Sequence, residues 1–167
     1  GDACVVIKQL AESADSKQLC TVLQSMQSGT EAADLFKDHL ASTVIPVMST
    51  IAKNHKDDEA RRFALEVLIT LAEGKPKAMA KVPNYLREVF MVATHFLMEL
   101  EDDVDDWAAQ DDEVADDEEH FKYGKDAINR VCGFMQKAEQ FEPALEALKP
   151  IVAELFGSGG WKQIVAA

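Results

Sequence analysis

Four aspartates crowd into five positions of this chain: "DDVDD" reads Asp102, Asp103, Val104, Asp105, Asp106. Carboxylates so spaced can hold a hard cation through oxygen, or attract the Lys and Arg side chains of another protein. Trp107 follows at once, and Asp111, Asp112, Glu113, Asp116 and Asp117 extend the run. An indole face accepts a cation and adds the apolar area that charge alone lacks. Residues 99–119 hold 13 of the chain's 30 acids and no Lys or Arg. The other 17 acids are matched by 17 bases, so the formal charge of −13 resides in this one stretch.

Cation chemistry has specific requirements. The run satisfies the D-D-x-x-D pattern with which all-helical prenyl-diphosphate enzymes hold Mg²⁺ and a diphosphate. Such an enzyme needs a second acidic motif and clustered bases, and the sequence offers neither. An EF-hand fails for want of its turn glycine and its terminal Glu. A Mg²⁺-dependent prenyl enzyme is therefore the remote alternative. His39, His55, His95 and His120 are scattered, and the reading finds none of them at i, i+4 from another ligand. Cys4, Cys20 and Cys132 lack metal-type spacing and suit free thiols in a reducing compartment. No P-loop, G-x-S-x-G or G-x-G-x-x-G occurs. The expectation is a non-enzyme with no catalytic residue, no metal and no cofactor. The ten residues Asp102, Asp103, Asp105, Asp106, Trp107, Asp111, Asp112, Glu113, Asp116 and Asp117 are the candidate site for a basic partner. A sequence pI near 4.6 argues against nucleic acid and anionic membrane, which would be repelled.

The elements that must position this stretch are helices. Ala60, Phe63, Ala64, Val67, Leu68, Leu71 and Ala72 recur with helical period, as do Leu86, Val89, Phe90, Ala93, Phe96, Leu97 and Leu100. The pattern predicts helices at about 3–12, 15–28, 32–54, 57–74, 83–101, 118–136 and 140–156, with another opening near 161. Gly74 and Pro76 stop one helix, Pro83 suits the first turn of the next, and the glycines within 157–160 read as a turn. "DDEARR" (57–62) pairs acids at a helix start with arginines one turn on and reads as scaffold. Mutual repulsion is expected to keep the acidic stretch extended and mobile.

The helices repeat. "TVIPVMSTI" (43–51) and "ALKPIVAEL" (147–155) share a proline and apolar residues one, two and five places after it. The prolines lie 104 apart, which is two units of about 42 once the insert of about 20 is removed. "ALEVLI" (64–69) and "AINRVC" (127–132) match in their apolar positions 63 apart, or one such unit plus the insert. A two-helix unit of 40–47 residues is the HEAT period, whose copies stack into a solenoid. The expected fold is all-α, a right-handed superhelical HEAT-repeat solenoid of about three repeats. Their approximate limits are 13–55, 57–101 and 118–156, with a further repeat starting at 161–167 and an acidic loop at 101–119. Both ends of the chain lack polar caps, so a piece of a longer array is expected.

Three stretches carry a resemblance. "ARRFALEVLITLAEGKPKAMAK" (60–81), "MELEDDVDDWAAQDDEVADDEE" (98–119), and "DAINRVCGF" (126–134) with the later "WKQ" (161–163) resemble the karyopherin-beta (importin-beta) superfamily. The similarity is greatest to its karyopherin beta-three branch. The resemblance implies a nuclear import receptor that shuttles between cytoplasm and nucleus. It implies that basic localisation signals of cargo are bound and that the small GTPase Ran, in its GTP form, unloads them. It implies an inner surface formed by second helices, near 32–54, 83–101 and 140–156, with the acidic insert on that side. The "GSGG" at 157–160 is more glycine-rich than the family's pattern, and the N-terminal repeats that carry most Ran contacts are absent. The other alternative is a HEAT scaffold unrelated to nuclear transport.

Overall fold

The computed structural model describes residues 5, 9, 12, 15–27, 38–100 and 119–167. Among them there is no strand. The helices are α1 (Ser16–Met26), α2 (Ile45–Asn54), α3 (Asp58–Gly74), the single turn α4 (Pro76–Met79), α5 (Tyr85–Leu97), α6 (Glu119–Lys137), α7 (Phe141–Ser158) and the short α8 (Trp161–Ala166).

Local chemistry sets most boundaries. Asp15 caps α1 by accepting from the Gln18 amide at 3.1 Å, and Asp57 caps α3 by accepting from Ala60 at 3.1 Å. Asp58 and Glu59 then place negative charge at the positive end of α3. Pro46 sits in the first turn of α2, and the chain approaches it through a wider π-type turn over Leu40–Val44. Proline cannot donate to the carbonyl four residues back and its ring crowds that turn, so the wider winding ahead of it relieves the conflict. Pro150 lies inside α7, which continues past it to Ser158. Glu139 adopts φ 61° after α6, and Gln140 donates back to the Met135 carbonyl at 2.7 Å, closing the helix before α7 begins.

Several boundaries differ from the sequence reading: the helix expected at 32–54 has Asp38 and His39 in a turn and is α-helical only from Ile45, and the helix expected at 83–101 ends at Leu97. Pro83 is not in the first turn of α5: Asn84, at φ 60°, precedes the first helical residue, Tyr85. Pro76, read only as a stop, opens the turn α4. Gly157 continues α7, and the reversal falls at Gly159, whose φ of 71° suits glycine. Of the helix expected at 3–12, residues 5, 9 and 12 are helical and the others lie outside the described residues.

The helices form two layers, the architecture of a HEAT-repeat solenoid. α1, α3 and α6 pack side by side in the first layer, and α2, α5 and α7 in the second. Each second-layer helix also packs on the first-layer helix that follows it, α2 on α3 and α5 on α6. First-layer helices begin at Ser16, Asp58 and Glu119. The first interval equals the 42-residue unit, and the second is longer by about the length of the acidic stretch. One apolar core runs through the array from Leu19 to Ala166. It contains Leu68, Val89, Phe90, Phe96, Val131 and Met135, all fully buried. Of the apolar positions named from periodicity in α3 and α5, all are buried except Phe63, which packs against the core half-buried. Across the first layer, Arg130 of α6 donates to both carboxylate oxygens of Glu66 of α3 at 2.8 and 2.7 Å. That pairing holds the Arg130 guanidinium above its ordinary range against the opposing effect of burial.

Two backbone surfaces meet at Gly124. A Cβ there would lie 2.6 Å from the Ala93 carbonyl oxygen and 3.0 Å from the Leu97 amide nitrogen, so only hydrogen allows α6 to rest on α5. Gly133, one helix face away, has nothing within 4 Å of the same added atom. Gly124→Ala should therefore lower the melting temperature despite alanine's better helix propensity. Gly133→Ala should raise stability by about 0.5–1 kcal/mol. Thermal or urea unfolding of the two variants checks the opposite signs.

Tyr85 is fully buried and donates its hydroxyl to the Leu68 carbonyl at 2.6 Å, tying α5 to α3. Burial pushes this phenol far above its ordinary range. A raised acid keeps its stabilising effect below the unfolded phenol value, about 10, and loses it as pH rises further. Stability should fall above pH 10 with a slope approaching about 1.4 kcal/mol per pH unit from this group. Tyr85→Phe should remove that component and cost about 0.5–1.5 kcal/mol at neutral pH. Urea unfolding between pH 8 and 11.5 is the measurement.

Candidate partner-binding site

The ten candidate residues Asp102, Asp103, Asp105, Asp106, Trp107, Asp111, Asp112, Glu113, Asp116 and Asp117 all lie outside the described residues, as does the expectation that their stretch is mobile. What the structure places is the base from which the stretch departs and to which it returns. α5 ends at Leu97, and Glu99 and Leu100 carry the chain toward the acids. α6 begins at Glu119, with His120 in its first turn.

Arg61 of α3 is the centre of this base. Its side chain is 10% exposed, and its Nε donates to the Ala52 carbonyl of α2 at 3.0 Å. One terminal nitrogen donates to Asp58 at 3.1 Å and the other to Glu99. The guanidinium lies 5.0 Å from the centre of the Phe96 ring, a cation–π contact from α5. Burial alone would lower its affinity for the proton. The hydrogen bonds and charges of Glu99 and Asp58 outweigh that and raise it.

Glu99 uses both carboxylate oxygens. Oε1 receives Arg61 and lies 3.4 Å from Nε2 of His95, while Oε2 lies 2.7 Å from Nδ1 of His120. Nε2 of His120 faces Asp58 at 3.9 Å, and its ring stands edge-on to Phe96 at 5.3 Å between centroids. α3, α5 and α6 thus converge on one cluster, with α2 joined through Ala52. On the other side, Lys162 of α8 donates to the Leu100 carbonyl at 2.6 Å.

The sequence reading missed this cluster and misjudged the spacing of the histidines. His95, in the last turn of α5, is i, i+4 to Glu99 just beyond the helix, a relation the reading of the histidines denied; His55 with Glu59 and Asp116 with His120 have the same spacing in the sequence. That spacing was the available signal. The contacts with Arg61 and His120 join residues 38 and 21 positions from Glu99 and come from packing. "DDEARR" was read as scaffold, and Arg61 does bind scaffold, but it also holds the base of the acidic stretch. His55 is satisfied locally, its Nδ1 accepting from the Asp57 amide at 3.1 Å.

Beside the base, the second layer carries a groove of about 260 Å³ between α2, α5, α7 and α8. Met91, Met98, Ile151 and Leu155 supply apolar lining, with Lys53, His95 and Glu154 among its polar residues. Elsewhere, Cys20 faces Asp57 and Glu59 at the start of α3. Burial and those two carboxylates push its thiol up, which favours the protonated form over the metal-binding thiolate. Burial also pushes up the Cys132 thiol.

A family model described as the importin repeat matches residues 53–136, half of the chain. This chain belongs to the importin repeat family. The match takes in α3 to α5, the acidic stretch and nearly all of α6. The chain is also similar to importin subunit beta-3 of Saccharomyces cerevisiae, with 28% identity over 155 residues. That alignment covers 89% of this chain and 14% of the yeast protein, so the chain spans a small part of that relative's length. No solved structure matches the chain.

Because Arg61 joins α2, α3 and the end of α5, Arg61→Leu should cost about 2–4 kcal/mol, leaving Glu99 and Asp58 without its charge. Arg62→Leu, at the next position, should cost less than about 1 kcal/mol. Chemical unfolding of the two variants checks the contrast.

Proposed function

We propose that this chain is part of a nuclear import receptor and that its acidic stretch binds the basic localisation signals of cargo proteins. The contact residues are Asp102, Asp103, Asp105, Asp106, Trp107, Asp111, Asp112, Glu113, Asp116 and Asp117. The chain acts by binding, with no catalytic step. In the whole receptor, Ran in its GTP form releases the cargo, and the receptor shuttles between cytoplasm and nucleus. The repeat units are residues 13–55, 57–101 and 118–156, with residues 161–167 opening another.

The importin repeat match over residues 53–136, which encloses the acidic stretch, carries this reading. Charge supports it: 13 acids within residues 99–119, against a balanced remainder, form a local field suited to Lys and Arg. A bipartite chemistry of carboxylates and one indole suits a flexible basic peptide, because carboxylates attract at range while the ring face grips one cation at contact.

The two contributions separate by salt. Replacing Asp102, Asp103, Asp105 and Asp106 with Asn keeps shape and removes charge, so affinity for a Lys-rich peptide should fall and its salt dependence should flatten. Trp107→Ala leaves the charge intact and removes a contact worth about 0.5–2 kcal/mol, so affinity should fall at a nearly unchanged salt slope. Peptide titration by calorimetry at several salt concentrations measures both. Binding by both variants equal to that of the unaltered protein would leave the stretch without this role.

A further inference from the structure

We infer that α7 is a dimerisation helix, whose outer face pairs antiparallel with the same helix of a second copy of this chain. The pairing is independent of the peptide-binding role. In the second layer α7 packs beside α5, and its residues Ala144, Ile151 and Leu155 are buried in the core. A second apolar stripe runs along the same helix: Phe141, Leu145, Leu148, Val152 and Phe156. At about 100° per residue these five fall within about 80° of the helix circumference. Phe141 and Phe156, at the two ends, are 45% and 57% exposed, and the three between them are half-buried. Large exposed rings at both ends of one apolar stripe mark a surface built for contact.

The spacing identifies the occupant. The stripe reads nearly the same in both directions about a midpoint between Leu148 and Lys149. Two helices related by a two-fold axis through that midpoint run antiparallel, and each position meets its mirror position. Phe141 of one copy then meets Phe156 of the other, at both ends of the contact. Leu145 meets Val152, and the two Leu148 side chains meet at the axis. Aromatic pairs and branched aliphatics suit such a seam. Charge fits the same register. Lys149 borders the stripe and donates to Glu146 of its own helix at 2.7 Å. In the antiparallel pair it also stands about 3 Å along the axis from the level of Glu146 of the second copy. Each Lys149 is thus within reach of a carboxylate from either copy. A parallel pair would instead set Lys149 beside Lys149 and Glu146 beside Glu146.

Sedimentation velocity over a wide range of protein concentration tests the pairing. Physiological salt screens the repulsion of two acidic chains beyond about 8 Å. The unaltered chain should show a monomer–dimer equilibrium. Phe156→Glu should leave a folded monomer, with circular dichroism melting as the check on folding. Lys149→Glu should weaken dimerisation by roughly tenfold, because the border then carries only acids. Adding Glu146→Lys to that variant restores the alternation of charge and should restore most of the association. Lys149 and Glu146 are 55% and 61% exposed, so if Phe156→Glu does not fold, this pair of variants carries the test. A chain that stays monomeric at every concentration overturns the inference and leaves the stripe to a further helix of a longer array. A dimer that survives Phe156→Glu, or one that the exchange of charges does not rescue, overturns it in favour of another interface.

Discussion

A guanidinium buried between helices must find acceptors on every side, because an unpaired buried charge is among the costliest defects a protein can carry. Arg61 meets that demand with a carbonyl from α2, a carboxylate from its own helix, the carboxylate of Glu99 and the face of Phe96. These partners come from α2, from α3 itself and from the end of α5. The register of α2, α3 and α5 against one another, and through Glu99 that of α6, is tied to this side chain. The hydrophobic core supplies most of the driving force, but apolar contacts are non-directional. The directional bonds of Arg61 select one arrangement among those the core would accept.

The charge distribution follows a division of labour. The scaffold is balanced, with ion pairs between first-layer helices, as in Arg130 with Glu66, between second-layer helices, as in Lys53 with Glu88, and at the junction around Arg61. The surplus is gathered in a segment inserted between two stacked units. An insertion at that point leaves the stacking of α5 on α6 undisturbed, because Gly124 brings the two helices together directly after it. A repeat array can thus accept a strongly charged segment without spreading its self-repulsion through the core.

The all-α class, the two-helix period and the burial of α3 and α5 were legible because apolar residues fall at helical spacing and the acids fall in one run. The acidic start of α3 and the reversal near residues 157–160 were legible as types, though Gly157 proved to belong to α7. Pro83 misled because proline's preference for a first turn is local, whereas Asn84 starts α5 from a left-handed conformation set by the turn after α4. The role of Gly124 was hidden because a glycine within a helix looks the same whether it faces water or another backbone. Glu99 was hidden inside its own composition: among 13 acids of one stretch, a histidine four places before it is a weak local mark, and its other partners arrive from distant helices. The ten acidic and aromatic site residues remain a reading of chemistry and family.

The close approach at Gly124 has a mechanical side. At Gly124 no side chain of α6 stands between the helices, and the backbones of α6 and α5 meet directly. A force applied near the start of α6 meets this backbone contact, and close-packed atoms yield little. At that point the two helices would move together, and bending would fall to the parts of the array where side chains lie between the helices.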